Sequence, residues 1–280
     1  MNKIKIVTDS TCDLSMPEID ALNIHVIPLS VTINGETYLD RIEITPKTFM
    51  QKMKLSPELP KSSQPAIGEF VKLYDELGED GSEVLSIHMT GKMSGTVEAA
   101  RAAAKMSKTK VTVVDSLFIS KALAFQVKRA VSLVNEGKQV NDIIEELHDV
   151  RSNTKLFLVV DTLENLAKGG RIGKSKAMIG SLLNIKPIAM LEDGELSPVA
   201  KVRNQSQAIK FLIKQFTEDI EGKTIRSVGL AHANGLELAL KVKHKIEELT
   251  GFEMVEIEDT TPIIGTHAGE GAIGFMYHAE

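Results

Sequence analysis

The chain has 280 residues, of which 42% are apolar and 25% charged, an ordinary globular composition with enough length for two domains. A net charge of −5 and the absence of Trp argue against nucleic-acid binding, which draws on clustered positive charge and stacking aromatics. Cys12 is the one cysteine, so no intramolecular disulfide forms, as expected in a reducing compartment.

Ile4 to Thr8 is a β-branched run ending in Asp9-Ser10-Thr11, the pattern of a buried strand entering a polar loop. Ser15, Pro17 and Glu18 make a capping-box start for a short helix. His25 to Ile33 reads as one strand, and Asn34-Gly35 turns it into an extended segment from Glu36 to Leu39. Thr45-Pro46 opens a helix that Pro57 and Pro60 bound, and Ser62-Ser63-Gln64-Pro65 reads as a polar turn. A helix over Ala66–Leu77, a strand over Glu83–Met89, a helix over Thr96–Met106 and a strand over Val111–Val114 follow. Helices at Leu117–Asn135 and Val140–Arg151 complete a first α/β unit, 1–154, with a largely parallel sheet.

A second α/β unit, 155–280, begins with a strand at Leu156–Val160 and a short helix at Thr162–Lys168. An apolar helix is expected at Lys176–Leu183, and Asp193-Gly194 between Pro187–Leu191 and Leu196–Val202 signals a hairpin. Helices near Gln205–Phe216 and Leu236–Leu249 alternate with strands at Ile225–Ala231 and Glu253–Ile257, and a last strand runs Ala272–His278. The sheet of this unit is expected to be mixed. The N-terminus lacks the long apolar stretch of a signal peptide, and no run of about 18 apolar residues marks a membrane span, so the chain reads as cytoplasmic.

Several motifs imitate chemistry. Gly169-Gly170-Arg171-Ile172-Gly173-Lys174-Ser175 resembles a P-loop, but Lys168 stands where its first Gly belongs and a helix precedes it. Gly269-Glu270-Gly271-Ala272-Ile273-Gly274 matches the dinucleotide fingerprint, yet only six residues follow, so a Gly-rich turn before the last strand is the better reading. The seven histidines show no metal-ligand spacing. Ser94 lacks the flanking glycines of a nucleophile elbow, and Cys12 reads as a small buried residue. No catalytic residue, metal or cofactor is assigned.

What remains is a set of hydroxyl-rich loops: Thr8-Asp9-Ser10-Thr11, Ser62-Ser63-Gln64-Pro65, Ser94-Gly95-Thr96 and Asp115-Ser116. Such loops beyond strand ends are able to converge on an anion; taken singly, each reads better as a helix cap, and it is their number in one domain that favours a shared site. In this order, and together with Gly169-Gly170-Arg171-Ile172, Gly180 to Pro187 and Gly265-Thr266-His267-Ala268-Gly269, they resemble the DegV family over essentially the whole chain. The resemblance implies two α/β domains with a long-chain fatty acid, such as palmitate or oleate, between them. Family members include lipid-carrier subunits that present the acyl carboxylate to a separate ATP-binding fatty-acid kinase subunit, which makes acyl phosphate. By resemblance, Ser62, Ser94 and His267 hold the carboxylate without a permanent countercharge. Arg171 and Arg203 match basic positions at the head-group mouth, for ligand or kinase docking. Two positions depart from the family: Ser62 stands where Thr is common, and Asn204-Gln205 follow Arg203 where another basic residue is usual. A carrier that is not itself an enzyme is therefore expected, with transient membrane contact compatible with its cargo. A hydrolase or phosphotransferase using Ser94 and His267 is the alternative.

Overall fold

The computed structural model describes residues 3–174 and 185–280; the helix expected at 176–183 lies outside them. Strand β1 (Ile4–Asp9) sends Ile6 to one apolar cluster and Val7 to another, as a central strand covered on both faces must. A single 3-10 turn (Ser10–Cys12) and helix α1 (Met16–Ala21), with the expected Ser15–Glu18 capping box, lead to β2 (His25–Ile27), parallel to β1. The expected strand over His25–Ile33 is in fact two. Pro28 has no N–H to continue a ladder, and the chain changes sheets there. Strand β3 (Ser30–Ile33) instead pairs antiparallel with β4 (Glu36–Leu39) and, beyond α2 (Pro46–Leu55), with β5 (Lys61–Ser63). Ser62 thus sits on a strand opposite Val31, and not in a free turn.

Helix α3 (Ile67–Gly78), β6 (Glu83–His88), α4 (Thr96–Met106) and β7 (Val111–Asp115) complete the first sheet, all parallel in the order β2-β1-β6-β7. Phe70, Tyr74 and Leu77 of α3 and Ala99, Ala100 and Ala103 of α4 cover one face. The other face meets α5 (Ser120–Asn135), against which α6 (Val140–Ser152) packs.

The second sheet uses β8 (Thr154–Val159) and, after α7 (Glu164–Lys168), the hairpin β9 (Lys186–Glu192) and β10 (Glu195–Val202). Asp193 and Gly194 both take positive φ, 49° and 80°, the geometry a two-residue hairpin turn requires. Helix α8 (Gln205–Asp219), β11 (Ile225–His232), α9 (Leu236–Thr250), β12 (Val255–Asp259), α10 (Pro262–Ala268) and β13 (Ile273–Ala279) finish the chain. The sheet is mixed, in the order β10-β9-β8-β13-β11-β12, with β11 and β12 parallel and every other pair antiparallel. Helices α8 and α9 cover its outer face through Leu212, Phe216, Val242 and Ile246.

Helix α5 faces both sheets. Its residues from Ser120 to Val127 are all buried, and it touches β1 and β6 on one side and β8, β11 and β13 on the other. A helix turn buried on every side lies between the two sheets, and its polar residues need partners there. The one charge in that stretch, Lys121, is wholly buried; its Nζ lies 2.9 Å from Glu256 Oε2. Lys128, one turn further plus three residues, pairs with Glu256 and with Glu18 of α1. Buried lysines need such partners, and here the pairs tie α1 and β12 to the same helix.

Candidate functional site

The inner face of the mixed sheet, α10 and the start of α5 enclose a cavity of about 340 Å³, in the size range of small-molecule sites. Side chains alternate along each strand. Leu156 and Leu158 of β8, Ala231 of β11, and Gly274 and Met276 of β13 line the cavity, while Phe157, Leu230, Phe275 and Tyr277 face α8 and α9. The aromatics thus build the outer core, while Ala231 and Gly274 leave space on the inner face.

Helix α10 flanks the cavity lengthwise. Thr260, Ile263, Ile264, His267 and Ala268 all line it, a spacing of three and four residues that keeps one helical face toward it. Thr261 caps this helix with Pro262 in its first turn, and Asn165 Nδ2 donates to Thr266 O at 3.3 Å near its end. No element is expected from the sequence between Ile257 and Ala272; Gly265 and Gly269 obscure this helix, and the Thr261-Pro262 pair is its start signal.

The polar end of the cavity gathers three strands of the expectation. His267 Nε2 lies 2.8 Å from Ser62 Oγ across 205 residues of sequence. Ser94 lines the same end, its Oγ 2.8 Å from Thr96 Oγ1 and accepting from Thr96 N–H at 3.3 Å. Arg171 lines it too; its Nε donates to Met93 O at 3.0 Å and its Nη1 to Gly169 O at 2.6 Å. Of the two basic positions expected at the head-group mouth, Arg171 therefore lines this end of the cavity. The His267 ring rests on Gly169, where a Cβ would collide with Nδ1. Arg203 is exposed just beyond β10 and does not line the cavity.

Two of the four hydroxyl loops reach the cavity, and two are structural. Asp9 accepts from Thr11 N–H, Met89 N–H and His88 Nδ1. Burial alone would raise its carboxyl, but the His88 contact and the other bonds outweigh burial and hold it below the usual range. Asp115 braces Gly91 and Leu117. Asp9, His88 and Ser86 even hydrogen-bond in series, with Tyr74 Oη 2.8 Å beyond Ser86 Oγ. All three are wholly buried and away from the cavity, so this is an internal polar relay and not a catalytic triad. Cys12 is buried, and desolvation pushes its thiol up to about 12. The Gly-rich segment after α10 turns a helix into β13, the reverse of a dinucleotide fold, with Gly269 and Gly271 at positive φ. The P-loop-like segment follows helix α7 and not a strand.

Burial, aided by the Arg171 charge, pushes His267 down to about 4, so its imidazole is neutral near pH 7. Its Nδ1 has no hydrogen-bond partner among the described residues. No carboxylate bonds to it among the described residues, and its basicity is far below what general-base work near neutrality requires. Between pH 6.5 and 4 the unfolded chain takes up a proton that the native ring refuses. The native advantage is complete above 6.5 and is lost as pH falls toward 4. Stability should therefore drop more steeply over that window in this chain than in His267→Gln. Denaturant titrations from pH 7 to pH 4 measure it, and equal slopes for the two proteins would contradict the assignment.

Known proteins share this architecture. The family described as "Uncharacterised protein, DegV family" matches residues 3–280. A DegV domain-containing protein of Staphylococcus aureus (strain MRSA252) is 46% identical over 276 residues, 99% of each chain. A solved structure described as fatty acid binding of a DegV family protein, from Thermus thermophilus, has a TM-score of 0.93 at 33% identity, covering 99% of this chain and 100% of that one. Another, described as DegV, a fatty acid binding protein from Bacillus subtilis, has a TM-score of 0.91 at 35% identity over 100% of both. Family match, near full-length coverage and the parallel-plus-mixed pair of sheets agree: this chain belongs to the DegV family.

Proposed function

We propose that the chain binds a long-chain fatty acid, with its carboxylate at Ser62, Ser94 and His267 and its tail along α10 and the inner face of the mixed sheet. The observation that carries this is the continuity of one polar end with an otherwise mostly apolar cavity. Two structures at 33% and 35% identity described as fatty acid binding support it. A buried tail gains about 0.8 kcal/mol per methylene, so roughly a dozen methylenes contribute about 10 kcal/mol before ordering costs. The head needs only hydrogen-bond satisfaction. With its proton on Nε2, neutral His267 donates to Ser62 Oγ and leaves the Ser62 hydroxyl free to donate to the carboxylate. Arg171 supplies the balancing charge.

The finer reading is a carrier, not a self-sufficient enzyme, that presents the carboxylate to a separate kinase subunit for acyl-phosphate formation. Its support is the position of Arg203, exposed and without a carboxylate partner among the described residues. The alternative, Ser94 and His267 as a catalytic pair, meets the neutral imidazole and the Ser62 partner described above. Helices long and apolar enough to cross a membrane are absent among the described residues.

Protein purified from a bacterial host should carry about one fatty acid per chain, read by solvent extraction and mass spectrometry. The same preparation should neither hydrolyse ATP nor cleave a chromogenic ester. Repeated recovery of lipid-free protein that also takes up no added fatty acid would sink the binding reading. Turnover abolished by Ser94→Ala would sink the carrier reading.

A further inference from the structure

Eight polar side chains line the cavity, and six of them, including Ser62, Ser94, Arg171 and His267, belong to the head-group end or the strand beside it. The other two, Ser120 and Thr260, do not. Ser120 is 5% exposed and Thr260 6% exposed. Both hydroxyls donate to one oxygen of Asp13, Thr260 Oγ1 at 2.9 Å, and Thr261 N–H donates to the other oxygen at 2.9 Å. Asp13 is itself 1% exposed. Both hydroxyl oxygens keep lone pairs beside Asp13, so the wall offers acceptors at this point.

Helix α10 fixes where this polar spot lies. It begins at its cap, Thr261, beside the Asp13 cluster, and ends with His267 at the head-group site. Six residues at 1.5 Å each place the two about 9 Å apart. An extended hydrocarbon covers that in about seven carbons, given C–C bonds of about 1.5 Å in a zigzag. A tail leaving the carboxylate site along α10 therefore passes Thr260 and Ser120 near its middle.

We propose that the cavity accepts acyl chains bearing a mid-chain hydroxyl, which donates its proton to the Ser120 and Thr260 oxygens. This rests on the fatty-acid reading above and names a ligand class within it. In a purely apolar channel such a hydroxyl would lose its hydrogen bonds to water and weaken binding about tenfold or more. Here the wall replaces them.

The test is displacement of a fluorescent fatty acid from the native full-length protein by three competitors: stearic acid, a monohydroxystearic acid substituted mid-chain, and one substituted near the methyl end. The mid-chain isomer should bind at least as tightly as stearic acid, and the methyl-end isomer about tenfold more weakly. Thr260→Val should weaken the mid-chain isomer about tenfold relative to stearic acid measured on the same variant. Ser120→Ala is the second variant, should Thr260→Val fold poorly. A mid-chain isomer tenfold weaker than stearic acid on the native protein overturns the proposal, as does a mid-chain affinity, relative to stearic acid, that neither variant changes. Failure of stearic acid itself to bind overturns the fatty-acid reading as well, and so is distinguishable from either.

Discussion

Replacing Ala231 with Phe should lower fatty-acid affinity about a hundredfold and leave the unliganded fold intact. Ala231 is 3% exposed, sits on β11 and lines the apolar part of the cavity. A phenyl ring there occupies space that an acyl tail would otherwise fill. Excluding about four methylenes costs about 3 kcal/mol, which is roughly a hundredfold in affinity. Overpacking penalties of about 1–3 kcal/mol arise when a ring is forced among close-packed neighbours, and here it enters a cavity. The melting temperature of the lipid-free variant should accordingly change little. A medium-chain acid that ends before β11 should lose much less than a long-chain one. Fluorescent fatty-acid titrations with both lengths measure this; an unchanged long-chain affinity would place the tail elsewhere.

Ser94→Ala and Arg203→Ala should separate binding from transfer. Removing the Ser94 hydroxyl leaves a carboxylate oxygen short of a donor in a dry site, at a cost of about 1.5–3 kcal/mol. Fatty-acid affinity should drop about ten- to a hundredfold, and phosphorylation by a supplied kinase subunit should fall with it. Arg203 is exposed and away from the cavity. A charge in that position steers or orients a partner, so Arg203→Ala should keep lipid affinity within a few tenths of a kcal/mol while transfer falls. A binding titration beside a reconstituted kinase assay reads both variants. Loss of lipid binding in Arg203→Ala with none in Ser94→Ala would reverse the two roles.

Strand and helix periods made most elements legible in the sequence. The two hairpins announced themselves through Asn34-Gly35 and Asp193-Gly194, whose positive φ angles the turn requires. The departures have local causes. Pro28 divides one apolar run between two sheets, because a residue without an N–H ends a ladder that the apolar pattern alone would continue. Helix α10 was hidden by its glycines, although it holds His267 and one wall of the cavity. Ser62 and His267 are 205 positions apart, so only the family resemblance suggested their meeting. The apolar cavity-lining residues carried a weaker signal, small residues such as Ala231 and Gly274 on strands whose neighbours are large. A small residue in a strand reads as tight packing as easily as empty space, and the sequence does not distinguish them. The Asp13 cluster drew no comment as a site, because its partners Ser120 and Thr260 lie 107 and 247 positions away.

Helix α5 also bears on how the protein is made. It leaves the ribosome before any strand of the mixed sheet, carrying apolar residues such as Leu123 and Phe125 on sides that the first sheet does not all cover. The mixed sheet in turn has α8 and α9 against its outer face, and α5 packs on its inner face at β8, β11 and β13. Each half of the chain thus holds apolar surface that the other half helps to conceal. Synthesis from the N-terminus presents the helix first and lets β8, β11 and β13 assemble on it. A fragment starting after α6 would emerge with the part of its inner sheet face that α5 covers bare and prone to self-association.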